Sequence, residues 1–179
     1  MSRKTLKIKE KVRSFGAVWT LTTHSHRDCG CMGMDEHCTK GVFVQQKVKH
    51  NLVPDILLEA LAKQFVNAHT YDIGDNLYIA IGTDATPPAA GDTTLGAEEQ
   101  RKSVGSQSAS GAQFNVTAFF NAGEVAGNTY EEYGFITSGG SLQASGTVDT
   151  GVLASHVTDT MIVGELETLT VSFNFTITR

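Results

Sequence analysis

Thr168-Leu-Thr-Val-Ser-Phe-Asn-Phe-Thr-Ile-Thr178 alternates without a break. Leu169, Val171, Phe173, Phe175 and Ile177 fall on one side, and Thr168, Thr170, Ser172, Asn174, Thr176 and Thr178 on the other. Successive side chains of a strand point to opposite faces, so this run is a strand with one face in a core and one in water. At the helical repeat the two sets would mix on every face. Phe173 sits mid-strand on the apolar side, which makes it a core residue.

The same pattern recurs upstream. Phe114, Val116, Ala118 and Phe120 alternate with Gln113, Asn115, Thr117 and Phe119. Tyr130 to Thr137 and Val152 to Thr158 supply two more strands. Asn76 to Gly82 is apolar on both sides, as a central strand is. Val18 to Thr23 and Gly41 to Val48 flank a Cys/His-rich loop. Pro54 opens a helix to about Ala68, with Ile56, Leu57, Ala60, Leu61 and Phe65 at helical spacing. Thr83 to Leu95, with Pro87-Pro88 and Gly91, is an irregular surface loop. Gly105 to Gly111 is expected to be a flexible turn, and Ser138 to Gly151 a mobile loop. The strand count and turn spacing predict a mainly β fold. Its architecture is an antiparallel, jelly-roll-like β-sandwich with one packed helix and an N-terminal strand/loop extension. The division expected is a basic extension over 1–50 and a helix plus sandwich domain over 51–179.

At 179 residues the chain buries roughly two-thirds of its unfolded surface and needs no staples. No apolar run approaches the ~20 residues of a membrane span, and no apolar stretch follows the basic N-terminus. Synthesis in a cytoplasm and no membrane partner are therefore expected. The net charge of −5 divides unevenly: residues 1–50 hold ten Lys/Arg and four Asp/Glu, residues 51–179 four and fifteen. Such asymmetry suits nucleic-acid binding or head-to-tail contact between copies. The basic residues lie on a strand pattern without interleaved aromatics, which favours contact between copies and no direct nucleic-acid partner. Lys7, Lys9, Lys11 and Arg13 form one side of the run 5–13, and Leu6, Ile8 and Val12 the other, interrupted by Glu10. This is a lysine-guarded edge strand, or an arm that adds to a neighbouring subunit's sheet.

His24-Ser-His-Arg-Asp-Cys-Gly-Cys-Met-Gly-Met-Asp-Glu-His-Cys38 holds every cysteine of the chain and three of its six histidines. Three readings compete. Cys29, Cys31 and Cys38 with His26 or His37 make a Cys3His zinc set, though C-x-C-x6-C is not a standard finger spacing. In a trimer, His24 and His26 instead gather imidazoles for iron on a three-fold axis. An odd number of cysteines also suits an intermolecular disulfide formed after release from a reducing cytoplasm. The last reading is a polar connector with free thiols.

No other catalytic set stands out. Asp72, Asp75 and Asp84 are scattered, Glu131-Glu132 straddles two faces, and Ser155-His156 lies inside a strand, where a packed histidine is expected. There is no Walker loop, G-x-G-x-x-G or G-x-S-x-G.

Five segments in order carry a resemblance. They are Tyr78-Ile-Ala-Ile-Gly82 with the following Pro/Ala loop and Asp92-Thr-Thr-Leu-Gly-Ala-Glu98 before Arg101; Phe114 to Phe120; Tyr130-Glu-Glu-Tyr-Gly-Phe-Ile136; Gly151-Val-Leu-Ala-Ser-His156; and Glu167 to Ile177. This series, over about 75–179, resembles virion structural proteins of tailed bacteriophages of the tail-fibre-like, neck and decoration kind. The resemblance implies a non-enzymatic β-sandwich that assembles as a homo-oligomer with other virion proteins. It implies a part of the virion and does not say where in the particle, leaving neck or collar, head decoration and tail open. It does not extend to residues 1–50. The rival expectations are a metal-dependent enzyme centred on residues 24–38, with Asp35 and Glu36 as available bases, and a host-receptor-binding fibre domain presenting Ser138 to Gly151.

Overall fold

The structure is a computed structural model and describes residues 14–25, 42–50 and 52–178. The elements in chain order are β1 (Ser14–Ser25), β2 (Val42–His50), α1 (Asp55–Phe65), β3 (Tyr78–Gly82), β4 (Glu98–Ser103), β5 (Ser106–Ser110), β6 (Gln113–Phe120), α2 (Ala122–Val125), β7 (Thr129–Thr137), β8 (Val152–Ile162) and β9 (Glu167–Thr178). They form a five-stranded sheet ordered β2-β1-β9-β6-β5 and a four-stranded sheet ordered β4-β3-β7-β8. Every pairing between neighbouring strands is antiparallel. The fold is a mainly β sandwich with α1 packed beside it.

The opening alternation builds one wall of the core. Leu169, Val171, Phe173 and Phe175 of β9 and Trp19 and Leu21 of β1 meet Ile79, Ile81, Tyr133, Phe135 and Met161 of the other sheet. Phe173 is 1% exposed, and its ring centroid lies 4.9 Å from those of both Trp19 and Phe135. Trp19 is itself fully buried, and its indole N–H donates to Ser155 Oγ at 2.9 Å, so its one polar atom is satisfied.

β1 and β2 come from the stretch read as an N-terminal extension. They are hydrogen-bonded members of the five-stranded sheet, β1 lying between β2 and β9. Pro54 is the N-cap of α1 rather than its first helical residue, and the helix ends at Phe65. Two expectations need correction. Ser106 to Ser110, expected to be a flexible turn, is strand β5 paired with β6. Its five residues are small, polar or neutral, so no apolar side marked it. Glu98–Ser103, now β4, was also missed because four of its six residues are charged.

The four-stranded sheet is covered on its outer side as well. Ala80, Ile136 and Leu153 form a second apolar cluster there, closed by Leu95 from the segment 83–97 and Ala144 from the segment 138–151. This is why β3 reads as apolar on both faces.

Candidate functional site

The buried charged residues Glu132, His156, Glu98 and Arg101 gather on this outer face. Gly82 pairs with Glu132, and Gly134 with His156, so two glycines, a carboxylate and an imidazole share one patch of the sheet. The glycines are required by close approach. A Cβ at Gly82 would overlap Ala97 O and Glu132 Oε1. At Gly134 it would meet Leu95 Cδ2 at 3.0 Å and Leu153 Cδ1 at 3.1 Å. The segment 83–97 thus lies directly on the strands. A register shift between β7 and β8 leaves Ala154 unpaired. It turns Ser155 inward to Trp19 and leaves His156 outward.

Glu132 is fully buried. Its carboxylate accepts N–H bonds from Ala97 at 2.6 Å, Gly96 at 2.9 Å and Asp84 at 3.4 Å. His156 Nδ1 is 3.0 Å from Asp92 Oδ2, which also accepts the Ala89 N–H at 2.8 Å. His156 Nε2 lies 3.4 Å from Glu132 Oε2, with no directed hydrogen-bond partner among the described residues. We read this contact as an ion-pair approach. A carboxylate at each ring nitrogen is the environment of a doubly protonated imidazolium. Burial pushes the His156 pKa down, but Glu132 and Asp92 outweigh it and hold it above its ordinary 6.5. Burial likewise raises Glu132, yet His156 and the backbone N–H groups bring its pKa below 4.5.

A second buried pair stands beside the first. Arg101 forks onto Glu98 through Nε to Oε1 at 2.5 Å and through its second nitrogen to Oε2 at 2.6 Å, with both side chains 1% exposed. The remaining guanidinium nitrogen donates to Thr150 O at 2.8 Å and Ser145 O at 3.2 Å. Glu98 Oε2 also accepts the Asp149 N–H at 3.2 Å. The segment 138–151, expected to be mobile, is therefore tied to β4 through Ser145, Asp149 and Thr150. Ser138, Gly139, Gly140 and Ala144 within it are buried.

Three of the five segments that carried the resemblance converge here; Phe114 to Phe120 and Glu167 to Ile177 lie in the other sheet. Asp92, Leu95, Gly96, Glu98 and Arg101, then Glu132 and Gly134, then His156, all serve the two covering segments. Chemically the arrangement clamps loops. A buried histidine between two carboxylates has the parts of an acid–base relay, but no serine, cysteine or threonine hydroxyl or thiol donates to it among the described contacts. A polar recess of about 410 Å3 lies near β4 and α2, lined in part by Gln100, Glu124 and Tyr130. Within it Gln100 donates to Tyr130 Oη at 3.2 Å, and Glu124 is held from outside the lining by Lys102 at 2.6 Å.

The residues singled out in the sequence fare differently. Lys7, Lys9, Lys11, Arg13, His26, Cys29, Cys31, His37 and Cys38 lie outside the described residues. The backbone of His24 belongs to β1, opposite Phe43 and Thr168. Among the described residues no group of three or more His, Cys, Asp or Glu is arranged to hold a metal ion, and no helix is long and apolar enough to cross a membrane. Sequence reasoning missed Glu132 as a buried anchor and Asp84 as its neighbour. The available signal was the glycine two residues after Glu132 and the glycine of Leu95-Gly96. No protein-family model, curated protein or solved structure matches the chain.

Proposed function

We propose that this chain is a non-enzymatic structural part of a tailed-phage particle, at the neck or collar, as a head decoration, or in the tail. It is made in the host cytoplasm and works as a homo-oligomer bound to other virion proteins. The Cys/His loop, as a zinc or iron site or as an intermolecular disulfide, and the basic arm are its attachment elements. One observation carries the reading. The polar motif residues of three of the five segments that resemble the virion family are spent on fastening loops to a sheet, with Glu132, Glu98 and Arg101 buried and held by internal partners. A site for turnover needs a reactive group open to a substrate. The test is mass spectrometry of purified particles from cells that produce this chain. The chain should be recovered in fixed stoichiometry with the major structural proteins. Recovery only in the soluble lysate would refute the reading.

A further inference from the structure

Four strands end the two sheets, and three of them are guarded. β2 carries Lys47 and Lys49, which reach Asp159 of β8 at 3.2 and 3.7 Å. β4 carries Glu98, Glu99, Arg101 and Lys102 and has a register shift against β3. β8 is covered by Leu52, which exchanges two backbone hydrogen bonds of 3.3 Å with His156. Charge, bulges and cover are the ordinary protections of a sheet edge. β5 has none of them. Its sequence Ser106-Gln-Ser-Ala-Ser110 is uncharged and free of proline, its register with β6 is unbroken, and all five residues are exposed. Among the described residues no strand pairs with its outer side.

The chain also contains an alternating segment that needs an edge. Thr5 to Arg13 has no Gly, Pro, Asn, Asp or Ser to turn it. It leads straight into β1 at Ser14. The row Gly16–Thr176–Gln113–Ser110 crosses the sheet, so β1 begins level with the end of β5. A strand added on the outer side of β5 lies four strand intervals from β1, about 19 Å at ~4.8 Å each. To lie along its own β5 the segment would have to reverse at that end and cross this gap. An unbroken alternating run is unsuited to that, whereas nine extended residues span about 30 Å toward another molecule.

We propose that β5 is a strand-acceptor edge and that its occupant is residues 5–13 of a second copy of this chain. The proposal rests on the homo-oligomer reading above and names the receiving surface. Main-chain hydrogen bonds supply the attachment, as in other strand additions. The alternation suits both faces, with Glu10 the one charged residue on the inner side, the side that Gln107 shares. Ala109 pairs with Phe114, whose ring packs on Phe135 and Phe173, so Leu6, Ile8 and Val12 extend the inner apolar face outward from there. Lys7, Lys9, Lys11 and Arg13 then stand beside Ser106 and Ser108 on the outer face. An arm from one copy and an edge from the next make a head-to-tail contact, which closes into a ring when the rotation allows.

The test uses the full chain. Ser106→Lys with Ser108→Lys places like charges beside the arm, and Ser106→Glu with Ser108→Glu places opposite ones. Both positions are exposed, so the sandwich should fold; intact far-UV circular dichroism and Trp19 fluorescence check this. Ile8→Pro spoils the arm instead. In sedimentation velocity the wild type should be an oligomer, and the lysine variant and Ile8→Pro should each be monomers. The glutamate variant should assemble at lower concentration than wild type, with the advantage shrinking as salt is raised. An equimolar mixture of Ile8→Pro and the lysine variant should stop at a dimer, because one good arm and one good edge remain. If Ile8→Pro fails to assemble while both edge variants assemble like wild type, the arm reading survives and the choice of β5 is overturned. If the wild type is monomeric at every concentration, the homo-oligomer reading and this proposal both fall.

Discussion

Replacing Glu132 by Ala removes the anchor of the segment 83–97. The carboxylate accepts two good N–H bonds, from Ala97 at 2.6 Å and Gly96 at 2.9 Å, and a long third from Asp84 at 3.4 Å. Hydrogen bonds to a charged group are worth about 1.5–3 kcal/mol each, so the two good ones amount to ~3–6 kcal/mol. Gly96 and Ala97 are themselves exposed, so water takes over part of their bonding in the variant, which favours the low end. His156 keeps Asp92 at 3.0 Å but loses its second carboxylate. We expect a loss of about 3 kcal/mol, within the range of breaking a buried pair. For a chain of this size that lowers Tm by roughly 6–12 °C. Guanidinium unfolding followed by the single tryptophan, Trp19, reports on the core directly. Glu131→Ala is the control. Its side chain accepts one bond of 3.3 Å from Thr160 at the surface, and its loss should stay below about 0.5 kcal/mol. A loss under about 1 kcal/mol for Glu132→Ala would refute the anchoring role.

Stability should also follow pH in two directions. The folded pKa of Glu132 is lowered from 4.5, so its contribution is present above that value and is lost as pH falls through the folded one. The folded pKa of His156 is raised from 6.5, so its contribution is present below 6.5 and is lost as pH rises through the folded one. Asp92, Glu132 and Asp84 are the acids facing the ring, and unfolding midpoints should peak between pH 4.5 and 6.5; a midpoint still rising at pH 8 would contradict the imidazolium. Arg101→Lys keeps the charge but cannot fork onto Glu98 while holding Thr150 and Ser145. Limited proteolysis should then cut between Ser145 and Gly151 faster than in wild type, and unchanged rates would show that this anchor is dispensable. Phe173→Ala should cost ~3–5 kcal/mol in equilibrium unfolding, and a value below about 1 would misplace the core. The two sharp readings of residues 24–38 separate by reagent. A metal site loses stability to a chelator and resists a reductant, a disulfide does the reverse, and three reactive thiols with no bound metal exclude both.

The sandwich was legible because β6 and β9 alternate cleanly, and β7 and β8, though buried on both faces, are apolar runs that share the same core. β4 and β5 were not, for opposite reasons. Charged β4 hides its apolar stem, since Arg101 and Glu98 are buried by pairing with each other rather than by being apolar. β5 has no side to bury. The loop clamp was illegible because its parts are far apart in sequence: Asp92 and His156 are 64 residues apart, and Glu132 and Ala97 35. Glu131-Glu132 looked like a pair straddling two faces, and it is one. Periodicity cannot reveal that the outer face receiving Glu132 is itself covered by the segment 83–97.

As proposed above, the chain is a repeated building part of a particle. A cryo-EM reconstruction of the purified particle tests this proposal most directly. Density for this sandwich is expected at symmetry-related positions in the neck, on the head or along the tail, with each copy touching the next. A reconstruction that accounts for every protein density without this sandwich would contradict it.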